Sequence, residues 1–253
     1  MRHARWRPYV ALVAGAVFAV ATMGGCANSE PEFEAGFNLF TTEEDIRIGR
    51  ESAEKILTQI SLFENEAVTA YVKEVALSLT AHAPGERFPY EFHVVNLSDV
   101  NAFALPGGIV FVTRGTLESV RDEGELAGVL AHEVSHVALR HGTSQMSKAY
   151  IAQTGLGILQ EILGGGEGVG NLGDVVATVG GVGLNTLFLK FGRTAETQAD
   201  LTGARVMADA GYDPIEMVEF FQLLEARGGQ QGPEFLNDHP NPGNRARAVE
   251  QVR

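Results

Sequence analysis

His132, Glu133 and His136 are the residues whose types and spacing could do chemistry. They form the string H-E-x-x-H within Ala131-His132-Glu133-Val134-Ser135-His136. On a helix, positions four apart lie one turn above each other, so both imidazoles leave the same face. Two neutral imidazoles placed in this way can share a zinc ion. The glutamate beside the first of them can then take a proton from a water held there. Chance produces such a string in about one chain of this size in a hundred, so its setting must decide. From Glu123 to His141, the residues Leu126, Val129, Leu130, Val134, Val137 and Ala138 recur at helical spacing. Asp122 offers an N-cap, acids fill the first turn, Arg140 and His141 close the last turn, and Gly142 reads as the stop. An unpaired Glu133 in the apolar middle of that helix would be costly to bury, and a metal site accounts for it.

A catalytic zinc takes three protein ligands and keeps one position open. With a single cysteine in the chain, at position 26, the third ligand is sought among His and carboxylates. Glu196, sixty residues beyond His136, is the best candidate. It stands in Arg193-Thr194-Ala195-Glu196-Thr197-Gln198-Ala199-Asp200. Glu196 and Asp200 are one helical turn apart, so Asp200 is placed to accept the outer N–H of a ligand histidine and fix its tautomer. His141 is a weaker ligand candidate, because a continuous helix puts it roughly 140° around from His136.

The elements that must position these residues are mostly helical. Thr41-Thr42-Glu43-Glu44-Asp45 opens a helix running to about residue 60. A second begins near Asn65, with Val68, Tyr71, Val72, Val75 and Leu79 as its buried stripe. Residues 90–95 and Ile109–Thr113 read as strands, the latter entered from the turn Pro106-Gly107-Gly108. Two readings of that second strand stay open: a core hairpin, or an edge strand beside the active helix that pairs with an extended peptide. On the second reading Asn101, Ala102, Phe103 and Ala104 contact substrate. Further helices are expected from Thr143 to about residue 163, over 175–189, from Thr194 and from Asp213-Pro214, with a short one at the C-terminus. The Gly164–Gly170 segment is either a flexible connection or a lid over the metal. No internal repeat is evident. The pattern is α+β, mainly α, with a small sheet.

Length and address narrow the class. The 253 residues suit one domain. Arg2, Arg5 and Arg7 precede an apolar run, Val10 to Met23, too short for a comfortable membrane span. Gly24-Gly25-Cys26 follows. Residues 1–25 therefore read as a signal peptide, 26–40 as a polar tether and 41–253 as the folded domain. Cys26 falls where a bacterial lipobox needs its acylated cysteine, although Met23 is an unusual first residue. The other reading is a bystander beside an ordinary cleavage site. Ala27 in the next position favours the outer membrane in enteric-type sorting. The formal charge is −13, and residues 1–25 carry three arginines and no acid, so loss of that segment leaves about −16. Such a field repels nucleic-acid backbones.

These residues together resemble a known family. His132-Glu133-x-x-His136, Glu196-x-x-Ala199-Asp200, the preceding Asn101-to-Gly108 run and the following His239-Pro240-x-Pro242-x-x-Arg245 are similar to the zinc metallopeptidases that include HtpX and the CAAX prenyl proteases. The periplasmic lipoprotein branch, of the LoiP and BepA kind, is the nearest in pattern. The resemblance implies a zincin-like domain, one zinc per chain held by His132, His136 and Glu196, and Glu133 as catalytic acid/base. It also implies endopeptidase activity in envelope protein quality control, a lipid anchor, and contact with outer-membrane protein assembly machinery. His239 and Arg245 are candidates to stabilise an oxyanion. For His239, a resting-state zinc contact and a structural hydrogen bond remain open. Two other functions are carried alongside: a chaperone-like assembly factor that rarely cleaves, and a membrane-anchored structural zinc protein. An intact Glu133 argues against the latter.

Overall fold

The computed structural model describes residues 36–164, 191–227, 234–240 and 249. Helix α1 (Thr42–Leu57) starts where a capping box places it: Thr41 accepts from the Glu44 N–H, and the Glu44 carboxylate takes the Thr41 N–H. Helix α2 (Glu66–Thr80) is capped by Asn65 and buries Val72, Val75, Ala76 and Leu79. Tyr71, expected on that stripe, is exposed, and its hydroxyl donates to Glu123 at 2.6 Å.

Three strands follow: β1 (Glu91–Val95), β2 (Ala102–Leu105) and β3 (Ile109–Thr113). Their order is β1-β3-β2, with β3 parallel to β1 and antiparallel to β2. Ile109–Thr113 is therefore the central strand, buried at every position, and it does not form the edge that one sequence reading gave it. The outer strands are β1 and β2, and β2 reads poorly as a strand because it has only four residues. The turn between β2 and β3 needs glycine: Gly107 has φ 78°, and a Cβ there would lie 2.4 Å from the Ile46 Cα of α1.

After a short helix α3 (Arg114–Ser119), helix α4 (Glu123–Ala138) forms the centre of the molecule, and all but its first residue are buried. The Asp122 side chain caps it by accepting from the Glu125 N–H. It packs against α2, β2 and two later helices, α6 (Arg193–Asp209) and α7 (Ile215–Arg227). Leu130 and Val134 are fully buried, each stabilising the fold by about 1.5–3 kcal/mol. Gly203 brings α6 against α4, since a Cβ there would lie 3.2 Å from the backbone nitrogen of His132.

Helix α4 ends two residues earlier than the glycine at 142 suggests. Leu139 is its C-cap, and Arg140 takes the left-handed turn at φ 54°. Helix α5 (His141–Gly164) then starts at once, with Gly142 inside it. Arg140 is held there by Asp45 Oδ2 and the Phe40 carbonyl, both at 2.6 Å, so the N-terminal segment and α1 stabilise a backbone conformation that arginine rarely adopts. A last described helix, α8 (Glu234–Asp238), carries His239 at its end. The expected helix over 175–189, the Gly164–Gly170 segment beyond its first residue, Cys26 and Arg245 all lie outside the described residues.

Candidate metal centre

His132 and His136 leave the inner face of α4, Glu196 the first turn of α6, and His239 the end of α8. All four are buried, and one donor atom from each lies within 4.8 Å of every other. The His132 Nε2 is 3.1 Å from His136 Nε2, 3.2 Å from His239 Nδ1 and 3.4 Å from Glu196 Oε2. Glu196 Oε1 is 3.6 Å from His136 Nε2 and 3.3 Å from His239 Nδ1. Metal–ligand distances of about 2.0–2.1 Å in a tetrahedron require donor–donor edges of about 3.3 Å. The donor set and its spacing therefore fit a tetrahedral metal ion, and three imidazoles with one carboxylate suit zinc.

Surrounding contacts fix the rings. Asp200 Oδ1 lies 3.0 Å from His132 Nδ1. Phe191 stacks on His136 with ring centroids 4.1 Å apart, and Phe235 stacks on His239 at 4.6 Å. Burial pushes the Glu196 carboxyl up, but hydrogen bonds with His132 and His239 outweigh this and hold it down at about 2. Burial lowers the His132 pKa; its contacts with Asp200 and Glu196 reverse that and leave it raised, so a proton and a metal ion compete for the same ring.

Glu133 is different. It is fully buried, and neither carboxylate oxygen has a hydrogen bond of ordinary geometry; His239 Nε2 lies 3.4 Å from Oε1. Burial is the main cause that pushes its pKa up to about 8, opposed by His239 and by the backbone of Ala104 on β2. The edge strand therefore runs past the candidate base. Beside it, a small pocket bounded by Ala104, Leu105, Val137 and Phe191 adjoins His136.

Peptidase family M48 matches residues 63–253 of the chain. The chain belongs to peptidase family M48. It is 31% identical over 219 residues to the beta-barrel assembly-enhancing protease of Yersinia pestis, covering 83% of this chain and 44% of that one. To the protein of the same name in Escherichia coli K12 it is 28% identical over 207 residues, covering 80% and 42%. To the mitochondrial metalloendopeptidase OMA1 of Schizosaccharomyces pombe it is 28% identical over 220 residues, covering 85% and 63%. The chain thus spans less than half the length of the two bacterial relatives.

The structure brings His132, His136, Glu196, Asp200, Glu133 and His239 together. Asn101, expected at the substrate, is buried instead: its amide donates to Asp238 Oδ2 at 3.0 Å and its Oδ1 accepts the Ala102 N–H. Ala102 and Phe103 are buried as well, so of that run Ala104 is the residue with partial exposure. His141 is not among the clustered donors. Its Nδ1 faces His136 Nδ1 at 3.0 Å. No local pattern signals this contact, because Arg140 offers no glycine to mark the turn.

Proposed function

We propose that this chain is a zinc-dependent endopeptidase, with His132, His136 and Glu196 as ligands and Glu133 as general base and acid. The observation that carries the reading is Glu133, a fully buried carboxylate with neither oxygen in a hydrogen bond of ordinary geometry, beside a cluster of donors at tetrahedral spacing. A structural metal site has no use for a base there, and a fold does not keep such a group for stability. When bound, zinc supplies Lewis acidity to a water and to the scissile carbonyl. Glu133 accepts the proton of the attacking water and returns it to the leaving amine. Asp200 holds His132 with Nε2 facing inward, and Asn101 ties α8, and with it His239, to the start of β2. The substrate lies along the edge of β2 that is unpaired among the described residues, with Ala104 nearest the reacting bond.

His239 would offer a fourth donor through Nδ1 and faces Glu133 through Nε2. This geometry favours a resting donor that must turn aside before substrate binds, over a fixed oxyanion donor. Replacing His239 by Ala separates the two: a resting donor predicts weaker zinc binding with cleavage retained or raised, and an oxyanion donor predicts a loss of kcat of about a hundredfold. Arg245 remains our other candidate for the oxyanion.

Residues 1–25 serve as a signal peptide and Cys26 as the lipid-bearing residue, placing domain 41–253 in the periplasm on the outer membrane. No helix among the described residues is long and apolar enough to cross a membrane. Envelope proteins are the substrate class this address implies, and the outer-membrane assembly machinery is a partner suggested by the names of the relatives. The decisive experiment is casein digestion by the full chain with and without chelator, repeated with Glu133→Gln. Loss of cleavage with zinc retained is expected, and proteolysis that survives in purified Glu133→Gln refutes the reading.

A further inference from the structure

His141 is buried beside the cluster yet gives it no donor atom. Its Nδ1 lies 3.0 Å from Nδ1 of His136, and its Nε2 lies 3.2 Å from Oε1 of Gln198. Gln198 is on α6, between Glu196 and Asp200, so the chain of contacts runs from one metal-binding helix to the other through His141. We propose that His141 and Gln198 are positioning residues that fix the tautomer of His136, turning its Nε2 lone pair toward the metal.

The protons decide this. A gap between two imidazole nitrogens at hydrogen-bond distance holds one proton, carried by one ring or the other. The Gln198 carbonyl oxygen requires a proton on His141 Nε2. In a neutral His141 this leaves Nδ1 as an acceptor, so His136 must donate from Nδ1 and present a bare Nε2 to the cluster. The reversed arrangement, with the Gln198 amide donating, puts the His141 proton on Nδ1. That would force a proton onto His136 Nε2, pointing into the cluster, where it blocks ligation. Metal binding and the amide orientation of Gln198 therefore select each other.

The two ligand histidines of α4 are thus held by unlike partners, His132 by the carboxylate of Asp200 and His136 by a neutral ring. Glu133, Glu196 and Asp200 already place three buried carboxylates in the site. A neutral acceptor behind His136 orients the ring without adding a fourth. The left-handed Arg140 makes this possible: it breaks the helix after α4 and brings His141 back onto the ring it would face away from in a continuous helix.

The inference rests on the reading of the cluster as a metal centre. The test is zinc affinity of the full chain by competition with a chromophoric chelator, for wild type, His141→Phe, His141→Asn and Gln198→Leu. The Phe variant keeps a ring but no acceptor. Asn places an amide oxygen near the position of Nδ1. Affinity should fall 10–100-fold in His141→Phe, recover for the most part in His141→Asn, and fall more modestly in Gln198→Leu. Unchanged affinity in His141→Phe, or a loss that Asn leaves uncorrected, overturns the relay. If His141→Phe does not fold, nitrogen-15 NMR of zinc-loaded wild type gives the answer directly. His141 must be the Nε2–H tautomer, and an Nδ1–H tautomer refutes the proposal. Failure of the underlying reading is distinguishable: wild type would then hold no zinc, or His136→Ala would bind it as well as wild type.

Discussion

Glu133→Gln should stabilise the zinc-free protein while abolishing cleavage. The Glu133 pKa is pushed from 4.5 to about 8, with burial as the main cause. Between those values the folded chain holds a proton that the unfolded chain has released. Unfolding then releases protons, so stability falls as pH rises through this window. At about 1.4 kcal/mol per unit, the cost is about 3 kcal/mol at pH 7 and approaches about 5 kcal/mol above pH 8. Glutamine cannot ionise and avoids it, although its amide is buried without partners at a cost of about 1–3 kcal/mol. The net gain expected at pH 8 is about 1–3 kcal/mol. For a chain of this length that raises Tm by about 2–12 °C. The assay is scanning calorimetry in excess chelator at pH 5 and pH 8. Glu133→Gln should melt higher than wild type at pH 8, with the gap closed or reversed at pH 5, and added zinc should narrow the pH 8 gap by compensating the charge in wild type. Equal Tm values at pH 8, or a gap that does not depend on pH, refute the reasoning.

Three further outcomes follow from the same geometry. Arg140→Ala leaves the buried Asp45 carboxylate without its ion pair and should cost about 3 kcal/mol in urea unfolding, with Asp45→Asn in that background recovering part of the loss. Burial holds the His141 pKa down at about 4, so between there and about 6.5 the unfolded chain binds a proton that the folded one does not. This residue's share of stability is complete above pH 6.5 and is lost as pH falls toward 4, about 3 kcal/mol in all; compared with Glu133→Gln, the double variant carrying His141→Phe should show a flatter acid limb in its pH–stability curve. Gly203→Ala sets a methyl 3.2 Å from the backbone at Ala131 and His132, so it should push α6 from α4, spread Glu196 from His132 and weaken zinc binding in a chelator competition, with little change in far-UV circular dichroism.

The candidate site was legible wherever chemistry is local in sequence. H-E-x-x-H, with its Asp122 cap and apolar surroundings, defined α4, and the one-turn spacing of Glu196 and Asp200 placed both on one face of α6. What could not be read was produced by tertiary contacts. Arg140 adopts a positive φ because Asp45 and the Phe40 carbonyl, about a hundred residues earlier, hold it there. Without that anchor Gly142 is the better stop signal, and His141 falls on the wrong side of the helix. β2 escaped notice because a four-residue strand carries too little alternation to register, and without it β3 stayed open between a core hairpin, which its antiparallel pairing with β2 matches, and an edge strand. Asn101 looked like a substrate contact because it begins a motif run. Its amide is instead engaged with Asp238, a pairing across 137 residues that no local pattern reports.

The charge balance of the centre joins these observations. Three buried carboxylates share the site: Glu196, held well below the usual range by its histidine partners; Asp200, against His132; and Glu133, which the His239 ring faces at 3.4 Å and whose pKa burial pushes up. A divalent cation held there would neutralise two of them. Those are the two with partners, because each already faces a ligand ring or supplies a ligand atom. Glu133 is left as the one carboxylate whose ionisation is poorly compensated, and a base of that kind gains and loses a proton near neutrality, as general acid–base transfer requires. His239 touches both halves of this arrangement, with Nδ1 among the donors and Nε2 3.4 Å from Glu133. Turning that side chain away from the cluster would remove one of the four donors and the imidazole facing Glu133 together, so one ring would bear on both the metal site and the base.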